Sequence, residues 1–451
     1  MKRRPIAKIL FANPARVLVL GFVAVITLGM LLLLMPAASR NNQSVGLVNA
    51  LFTATSAVCV TGLVVVDTGT HWTLFGKTVI AILIQVGGIG FMSMATLFAV
   101  ILGKQITLRE RLIIQQAVGQ DTLSGVVRFA LYMLTLTLVV QSLGVMFLSF
   151  RFIPEYGLMT GLGYAVFHSI SAFCNAGFDL IGNGRSLTPY VNDPLVSLTI
   201  GSLIILGGLG FTVILDALSH YKTFRFTLHT RLVLLITGFL LAVGTAVFLV
   251  LEWNNPATLG DLPLFSKLLA GFFQSLTTRT AGFNTIDTAG LTSASQVWAV
   301  VLMFIGGSPA STAGGIKTIT FGVMIIMTVS VIQGKEEVEI FKRKIPYEIV
   351  NRAITIFVIG IILLVTATML LLILENQFPF IAILFEVTSA FGTVGLSTGI
   401  TSLLSTPGKL LLIVTMFTGR VGTLTIAFAL AKRQNRHLNL IHYPRERIIV
   451  G

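Results

Sequence analysis

The sequence predicts an all-α polytopic membrane protein of four repeats, each an outer helix, a re-entrant pore loop and an inner helix. Eight spanning helices would then surround one pore with pseudo-fourfold symmetry. Three observations predict it. Of 451 residues, 55% are hydrophobic and only 11% charged, against the quarter or so that a soluble domain carries. Uncharged stretches such as 17–35 and 232–251 are long enough to cross a hydrocarbon core as helix. A short motif ending in glycine recurs four times at roughly regular spacing: Val58-Cys59-Val60-Thr61-Gly62-Leu63, Phe173-Cys174-Asn175-Ala176-Gly177-Phe178, Thr278-Arg279-Thr280-Ala281-Gly282-Phe283 and Phe391-Gly392-Thr393-Val394-Gly395-Leu396. Ten residues before each glycine stands a phenylalanine, at Phe52, Phe167, Phe272 and Phe385.

The elements follow in order. Repeat 1 (1–103) has a span near 17–36, a pore loop near 46–66 and a span near 74–102. Repeat 2 (104–220) runs 128–150, 160–180 and 194–218. Repeat 3 (221–340) runs 230–252, 263–285 and 296–332, with its inner helix broken over 306–318. Repeat 4 (341–433) runs 350–374, 378–398 and 408–431, and 434–451 is a cytoplasmic C-terminal tail. The pore segments are too short to span, and irregular backbone at that depth is tolerated only where it is buried in protein or lines water. A short helix such as Asn49–Ser56 that stops there aims its partly negative carbonyl end at the cavity, which favours a cation.

The net charge of +14 does not point to nucleic acid, because of where it lies. Twenty-two of the 31 Lys and Arg fall in the N-terminus, 103–128, 220–231, 333–352 and 432–451, whereas Arg40, Lys77, Arg151, Arg185, Lys267 and Lys409 occupy the alternate loops. The positive-inside bias then places both termini in the cytoplasm of a multi-pass plasma-membrane protein. The first apolar stretch is too long for a cleavable signal and lacks a small-residue cleavage site after it. The two cysteines read as packed small residues, with neither disulfide nor zinc spacing.

The candidate ion-binding residues are the motif turns, whose carbonyl oxygens can replace the water shell of a monovalent cation: Cys59-Val60-Thr61-Gly62, Cys174-Asn175-Ala176-Gly177, Thr280-Ala281-Gly282 and Gly392-Thr393-Val394-Gly395. No acidic ring occupies these positions, which argues against calcium or magnesium. Carbonyls suit K+ best, with Na+ second. Glycine clusters in the inner helices, at 87–91, 207–211, 306–307 and 419–422, suit close helix packing or bending. The third is different. Gly306-Gly307-Ser308-Pro309-Ala310-Ser311-Thr312-Ala313-Gly314-Gly315 cannot be regular helix, and is the candidate gate, together with Arg420, a charge within the fourth inner helix. Arg420 raises a barrier to cations below the filter, ties carbonyls of the broken third helix, or does both. A phosphate loop is excluded there because Ile316 separates Gly315 from Lys317 and no strand precedes. Arg279 is expected to point backwards and hydrogen-bond its loop from behind. Asp67, Asp179, Asp287 and Glu386 lie near the mouth or the pore helices, as attractors of cations or as solvated loop charges, and His71 and His168 read as structural.

The four-repeat arrangement with single filter glycines resembles the Trk/Ktr/HKT superfamily of cation transporters, most closely the membrane subunit of bacterial Ktr potassium uptake systems. Phe52-Thr53-Ala54-Thr55-Ser56, the run 60–69, Arg279–Asn284 and Ser389–Leu396 carry the likeness, which covers nearly the whole chain. The resemblance implies potassium uptake, often with sodium dependence or symport, and homodimers with one pore per subunit. It also implies a cytosolic ring of nucleotide-binding regulatory subunits. It makes 306–318 an intramembrane gating loop and Arg420 a pore arginine, and assigns Tyr443–Gly451 to dimer contacts. Glycine in all four turns is the pattern associated with potassium preference; sodium-preferring plant relatives carry serine where this chain has Gly62. Cys59 and Cys174 occupy positions that vary in the family. The reading is therefore a K+-translocating membrane subunit with no organic cofactor and no enzymatic activity. The alternatives are a sodium-selective permease of the same architecture and an alternating-access carrier; the latter would show inverted repeats. An intramembrane enzyme would need a nucleophile–base pair or metal cluster, and the sequence has neither.

Overall fold

The computed structural model describes residues 14–90, 125–223, 225–335, 337–422 and 425. The basic N-terminus, most of 103–128 and the tail, with its dimer segment 443–451, lie outside the described residues.

The described chain is mostly helical. It begins with α1 (Pro14–Leu34), α2 (Leu47–Val58) and α3 (Leu74–Ile89). There follow α4 (Val126–Tyr156), α5 (Leu158–Phe173), α6 (Pro194–Leu209) and α7 (Phe211–His220). Next come α8 (Leu228–Glu252), α9 (Leu264–Thr277), α10 (Ser293–Phe304) and α11 (Thr318–Ile332). A small hairpin of β1 (Glu339–Ile340) and β2 (Arg343–Lys344) interrupts the helices before α12 (Tyr347–Leu374), α13 (Phe380–Gly392) and α14 (Thr406–Val421).

Among the described residues, four helices are long and apolar enough to cross a membrane, α1, α4, α8 and α12 with slightly trimmed ends, and the bent pair α6–α7 would make a fifth if counted as one span. They turn large apolar side chains outward, among them Leu28, Leu138, Leu235 and Ile362, as a surface facing hydrocarbon requires. The short helices α2, α5, α9 and α13 are the buried ones: nearly every residue in the last two turns of each is inaccessible.

The helices entered after each short helix are not the long spans expected at 74–102, 194–218, 296–332 and 408–431. All four stop early. α6 and α7 meet at Gly210 with a bend of 96°, and irregular residues 305–317 separate α10 from α11. α3 and α14 end at Gly90 and Gly422, with φ of +89° and +90°. Such φ values are open to glycine and costly for other residues. The other glycines of these clusters do serve close packing. A Cβ on Gly87, Gly207 or Gly419 would lie within 2.0 Å of the carbonyl oxygen of Val58, Phe173 or Phe391 respectively. Each glycine thus lets its helix touch the end of the buried helix in the same repeat.

A further clasp recurs in each repeat, between the end of the outer helix and the N-cap of the helix after the pore turn. The Thr73 hydroxyl donates to Ala37 O at 2.8 Å. Arg151 Nε donates to Asp193 at 2.8 Å. Glu252 accepts from the Thr292 N–H and hydroxyl at 2.9 and 2.7 Å, and Glu375 accepts from Ser405 N at 2.7 Å. In each case a residue that satisfies a helix terminus also anchors it to the preceding helix.

Candidate functional site

The four motif turns begin where the buried helices end. In repeats 1, 2 and 4 the chain leaves the helix through a six-residue closure, with Thr61, Ala176 and Val394 N–H donating to Ser56, Ser171 and Ser389 O at 2.8 Å. These are π-type turns of the kind found at helix C-termini. The serine hydroxyls then brace the turn. Ser56 Oγ accepts from Gly62 N at 3.1 Å and donates to Leu63 O at 2.7 Å. Ser171 donates to Phe178 O at 2.7 Å, and Ser389 accepts from Gly395 N at 3.1 Å. Two residues before each glycine the backbone is left-handed: Val60 (φ 57°), Asn175 (59°), Thr280 (69°) and Thr393 (50°). A β-branched residue in that region is strained and persists only where its surroundings hold it.

Repeat 3 is one residue shorter. Ala281 N closes on Thr277 O at 3.0 Å, and the Thr277 hydroxyl bonds Phe283 O. This shifts the register of the helix. The expected alignment put Phe272 level with Phe52, Phe167 and Phe385, but Phe272 is only partly buried, and Phe273, at 0% exposure, holds the core position.

The turns converge into a closed cycle. A Cβ placed on Gly62 would sit 2.4 Å from Ala176 O; on Gly177, 2.9 Å from Ala281 O; on Gly282, 2.6 Å from Val394 O; and on Gly395, 2.2 Å from Thr61 O. Each glycine therefore lies against the carbonyl immediately preceding the next repeat's glycine, in the order 1–2–3–4–1. Only a residue without a side chain fits. The hydroxyls of Thr61, Thr280 and Thr393 are buried at this ring with no protein partner. Among the described residues, no group of three or more His, Cys, Asp and Glu is placed to hold a metal ion; the oxygen atoms at the ring are main-chain carbonyls and hydroxyls. The cysteines are the C-caps of α2 and α5, and both are free and buried. Cys174 Sγ approaches Gln85 at 3.6 Å.

On one side the ring opens into a cavity of about 400 Å³ lined by all four glycines and by Asp67, Asp179 and Asp287. Asp67 accepts from Thr70 N, the Thr70 hydroxyl and Gly184 N at 2.8–3.0 Å. Burial raises its pKa, but these donors outweigh it and hold the carboxyl below its usual range. For Asp179, burial dominates over the N–H donors of Ile181 and Gly182 and lifts the pKa to about 6. Glu386 is not at the mouth. It is fully buried and accepts from Thr398 N at 3.0 Å, the Thr401 hydroxyl at 2.8 Å and the Ser397 hydroxyl, bracing the segment beyond Gly395. His168 is likewise structural: Leu180 N donates to Nε2 at 3.3 Å, which leaves Nδ1 to donate to Tyr164 O at 2.8 Å.

On the other side lies the irregular 305–317 segment. Ser308 N and Thr312 N donate to Gly208 O and Gly207 O at 3.0 and 3.2 Å, and Phe211 N donates to Ala310 O at 3.0 Å. The loop thereby supplies partners to both broken ends of the α6–α7 pair. It also reaches the ring: the Thr312 hydroxyl donates to Phe173 O at 3.2 Å, and a Cβ on Gly314 would meet the Thr393 hydroxyl. Arg420 ties this assembly together. Its guanidinium donates to Thr312 O, Gly87 O and, at 3.2 Å, Gly88 O, joining the loop to the end of α3. Arg279 is buried and lines a cavity of about 20 Å³ shared with Asn175, Gly208 and Gly307. The expected backing hydrogen bonds are not made by its Nε, which is buried without a partner.

A ring of main-chain oxygens set among apolar helices is the construction of a polytopic cation transport protein. The chain belongs to the TrkH family of cation transport proteins, which matches residues 8–439. It is 43% identical over 439 residues to Ktr system potassium uptake protein B of Bacillus subtilis (strain 168), covering 97% of each chain. It is 40% identical over 444 residues to the potassium/sodium uptake protein NtpJ of Enterococcus hirae, again covering 97% of each. In three dimensions it is similar to the crystal structure of the potassium transporter TrkH from Vibrio parahaemolyticus, with a TM-score of 0.75, 18% sequence identity and coverage of 93% of this chain and 85% of that one.

Proposed function

We propose that this chain is the ion-conducting membrane subunit of a Ktr-like potassium uptake system. The observation that carries the reading is the closed cycle of four glycine turns opening on an acid-lined cavity. The carbonyls of Thr61, Ala176, Ala281 and Val394, with those of neighbouring turn residues, act as the filter that replaces the water of a K+ ion. The full-length likeness to proteins named for potassium uptake supports K+ as the cargo, and the name of NtpJ supports Na+ as a second ion.

The finer architecture is part of the proposal. The four long helices and the four interrupted inner segments make eight spans in four repeats (1–103, 104–220, 221–340 and 341–433), with pseudo-fourfold symmetry about the ring. The bias of Lys and Arg supports cytoplasmic termini. The 306–315 loop and Arg420 form the gate, whose open and closed states a cytosolic nucleotide-binding ring selects in a homodimer. The gate residues are also a tether: the Arg420 contacts support a closed state held by hydrogen bonds as much as by charge. Uptake follows the membrane potential, worth about 2.3 kcal/mol per charge per 100 mV.

The test is flux into vesicles holding the purified protein under an inside-negative potential, with K+, Rb+ and Na+ in competition and K+ uptake repeated with and without Na+. K+ and Rb+ should displace one another while equimolar Na+ does not. Carriage of Na+ in preference to K+ would overturn the filter reading.

A further inference from the structure

We infer that the groove between α3 and α5 binds one anionic phospholipid, its phosphate against Arg40 and Lys77 and an acyl chain lying along the two helices. The groove encloses about 800 Å³. Its walls are apolar and open: Ile82 on α3 and Met159, Leu162 and Val166 on α5 are all exposed.

The two cations stand at one end. Arg40 and Lys77 are among the few basic residues that the charge bias places on the outer side, against the usual asymmetry. The fold brings both into the lining of the same groove. Lys77 spends one donor on Gly69 O at 2.7 Å, which leaves two. The nearby Asp67 carboxylate is already held by Thr70 and Gly184. A paired positive charge at headgroup depth therefore faces outward above a strip of hydrocarbon. From Lys77 to Gln85, at the inner end of the groove, α3 rises about 12 Å, close to one leaflet's share of the apolar core. Charge above and hydrocarbon below match a diacyl lipid with an anionic headgroup.

The middle of the groove is bare because α5 has glycine there. A Cβ on Gly163 would meet nothing within 4 Å. The groove also abuts the ring's outer backbone: the Tyr164 hydroxyl donates to Leu180 O at 2.9 Å, and Lys77 holds Gly69 O. A lipid seated here steadies the two stretches that lead away from Gly62 and Gly177.

Gly163→Leu gives the test. Its Cβ meets nothing within 4 Å, its isobutyl group enters the groove, and leucine improves helix propensity. Native mass spectrometry of the full chain, released from vesicles of phosphatidylglycerol and phosphatidylcholine, reads retained lipid per protomer. Wild type should retain one phosphatidylglycerol in preference to phosphatidylcholine. Gly163→Leu should lose it with thermal midpoint and oligomeric state unchanged. Arg40→Ala should lower the preference for phosphatidylglycerol about fivefold, the effect of one basic residue at a charged headgroup. Retention of the same lipid by Gly163→Leu, or equal retention of both lipids by wild type, would overturn the inference. Dissociation of the oligomer by Gly163→Leu would also overturn it, by assigning the groove to a second copy of the chain.

Discussion

Gly62→Ser tests the ring at its most exposed assumption, that the cycle closes through contacts only glycine permits. Two costs add. The backbone at Gly62 has φ +93°, a region that costs a side-chain-bearing residue about 1–3 kcal/mol. The new Cβ would also lie 2.4 Å from Ala176 O and 3.2 Å from Gly177 Cα. Ordinary contact begins near 3.4 Å, so the Ala176 carbonyl must retreat by about 1 Å or the first turn must swing outward. Either movement takes one quadrant out of coordination distance for K+. The middle of the strain range, about 2 kcal/mol, exceeds the ~1.4 kcal/mol that corresponds to a tenfold change in equilibrium, and we expect the K+ over Na+ preference to fall about tenfold or more. The assay is competitive flux in vesicles loaded with equal protein, with growth rescue of a potassium-uptake-deficient host as an independent readout. Gly238→Ser is the control, since a Cβ at Gly238 meets nothing within 4 Å. An unaltered K+/Na+ ratio in Gly62→Ser at normal protein level would refute the assignment of this turn to the filter.

Three further outcomes follow. Arg420→Ala removes three carbonyl links between the 305–317 loop and α3, and should raise K+ flux several-fold in the absence of a regulatory partner; flux equal to wild type would confine Arg420 to packing. Ser56→Ala strands the Gly62 N–H and the Leu63 carbonyl in a buried site, at about 1–3 kcal/mol, and should lower both the thermal midpoint and K+ selectivity. Ser56→Thr should preserve them, because Thr277 already does this work in repeat 3; loss in both variants alike would show that the hydroxyl is not the cause. With a pKa of about 6, Asp179 is neutral at pH 5 and charged at pH 7, whereas Asp67, held low, is charged across that range. The mouth is therefore more negative at pH 7, and the apparent KM for K+ should rise as pH falls from 7 to 5. Asp179→Asn should flatten that profile; a wild-type profile in the variant would remove Asp179 from the mouth's electrostatics.

What could be read without coordinates follows from how local each signal is. The outer helices and the buried helices declare themselves by uninterrupted apolar runs, and the motif glycines by their spacing. The breaks at Gly90, Gly210 and Gly422 do not, because a glycine in an apolar helix packs against a neighbour far more often than it ends the helix, and here the same clusters do both. Counting back from Gly282 places Phe272 one residue out of register, because the shortened closure lies between the two points and only the hydrogen-bond pattern exposes it. The hydroxyls of Ser56, Ser171, Thr277 and Ser389 stand at near-constant offsets, a signal present in the sequence but indistinguishable there from ordinary small residues in a packed helix. Glu386 sits among apolar residues of its helix, so its hydroxyl and N–H donors, more than ten residues away, had no local trace. Arg420 shows the extreme case, since its acceptors lie 108 and more than 330 residues away.

The shortened third turn has a consequence for how such a ring can be altered. In a channel assembled from four identical chains, any change to the filter is made four times over. Here each quadrant has its own genetic address, and one of them has dropped a residue while its carbonyl still meets its neighbours. Equivalent substitutions in different quadrants should therefore not be interchangeable. Scanning one position through all four would chart a lopsided aperture, with the third quadrant as its odd corner.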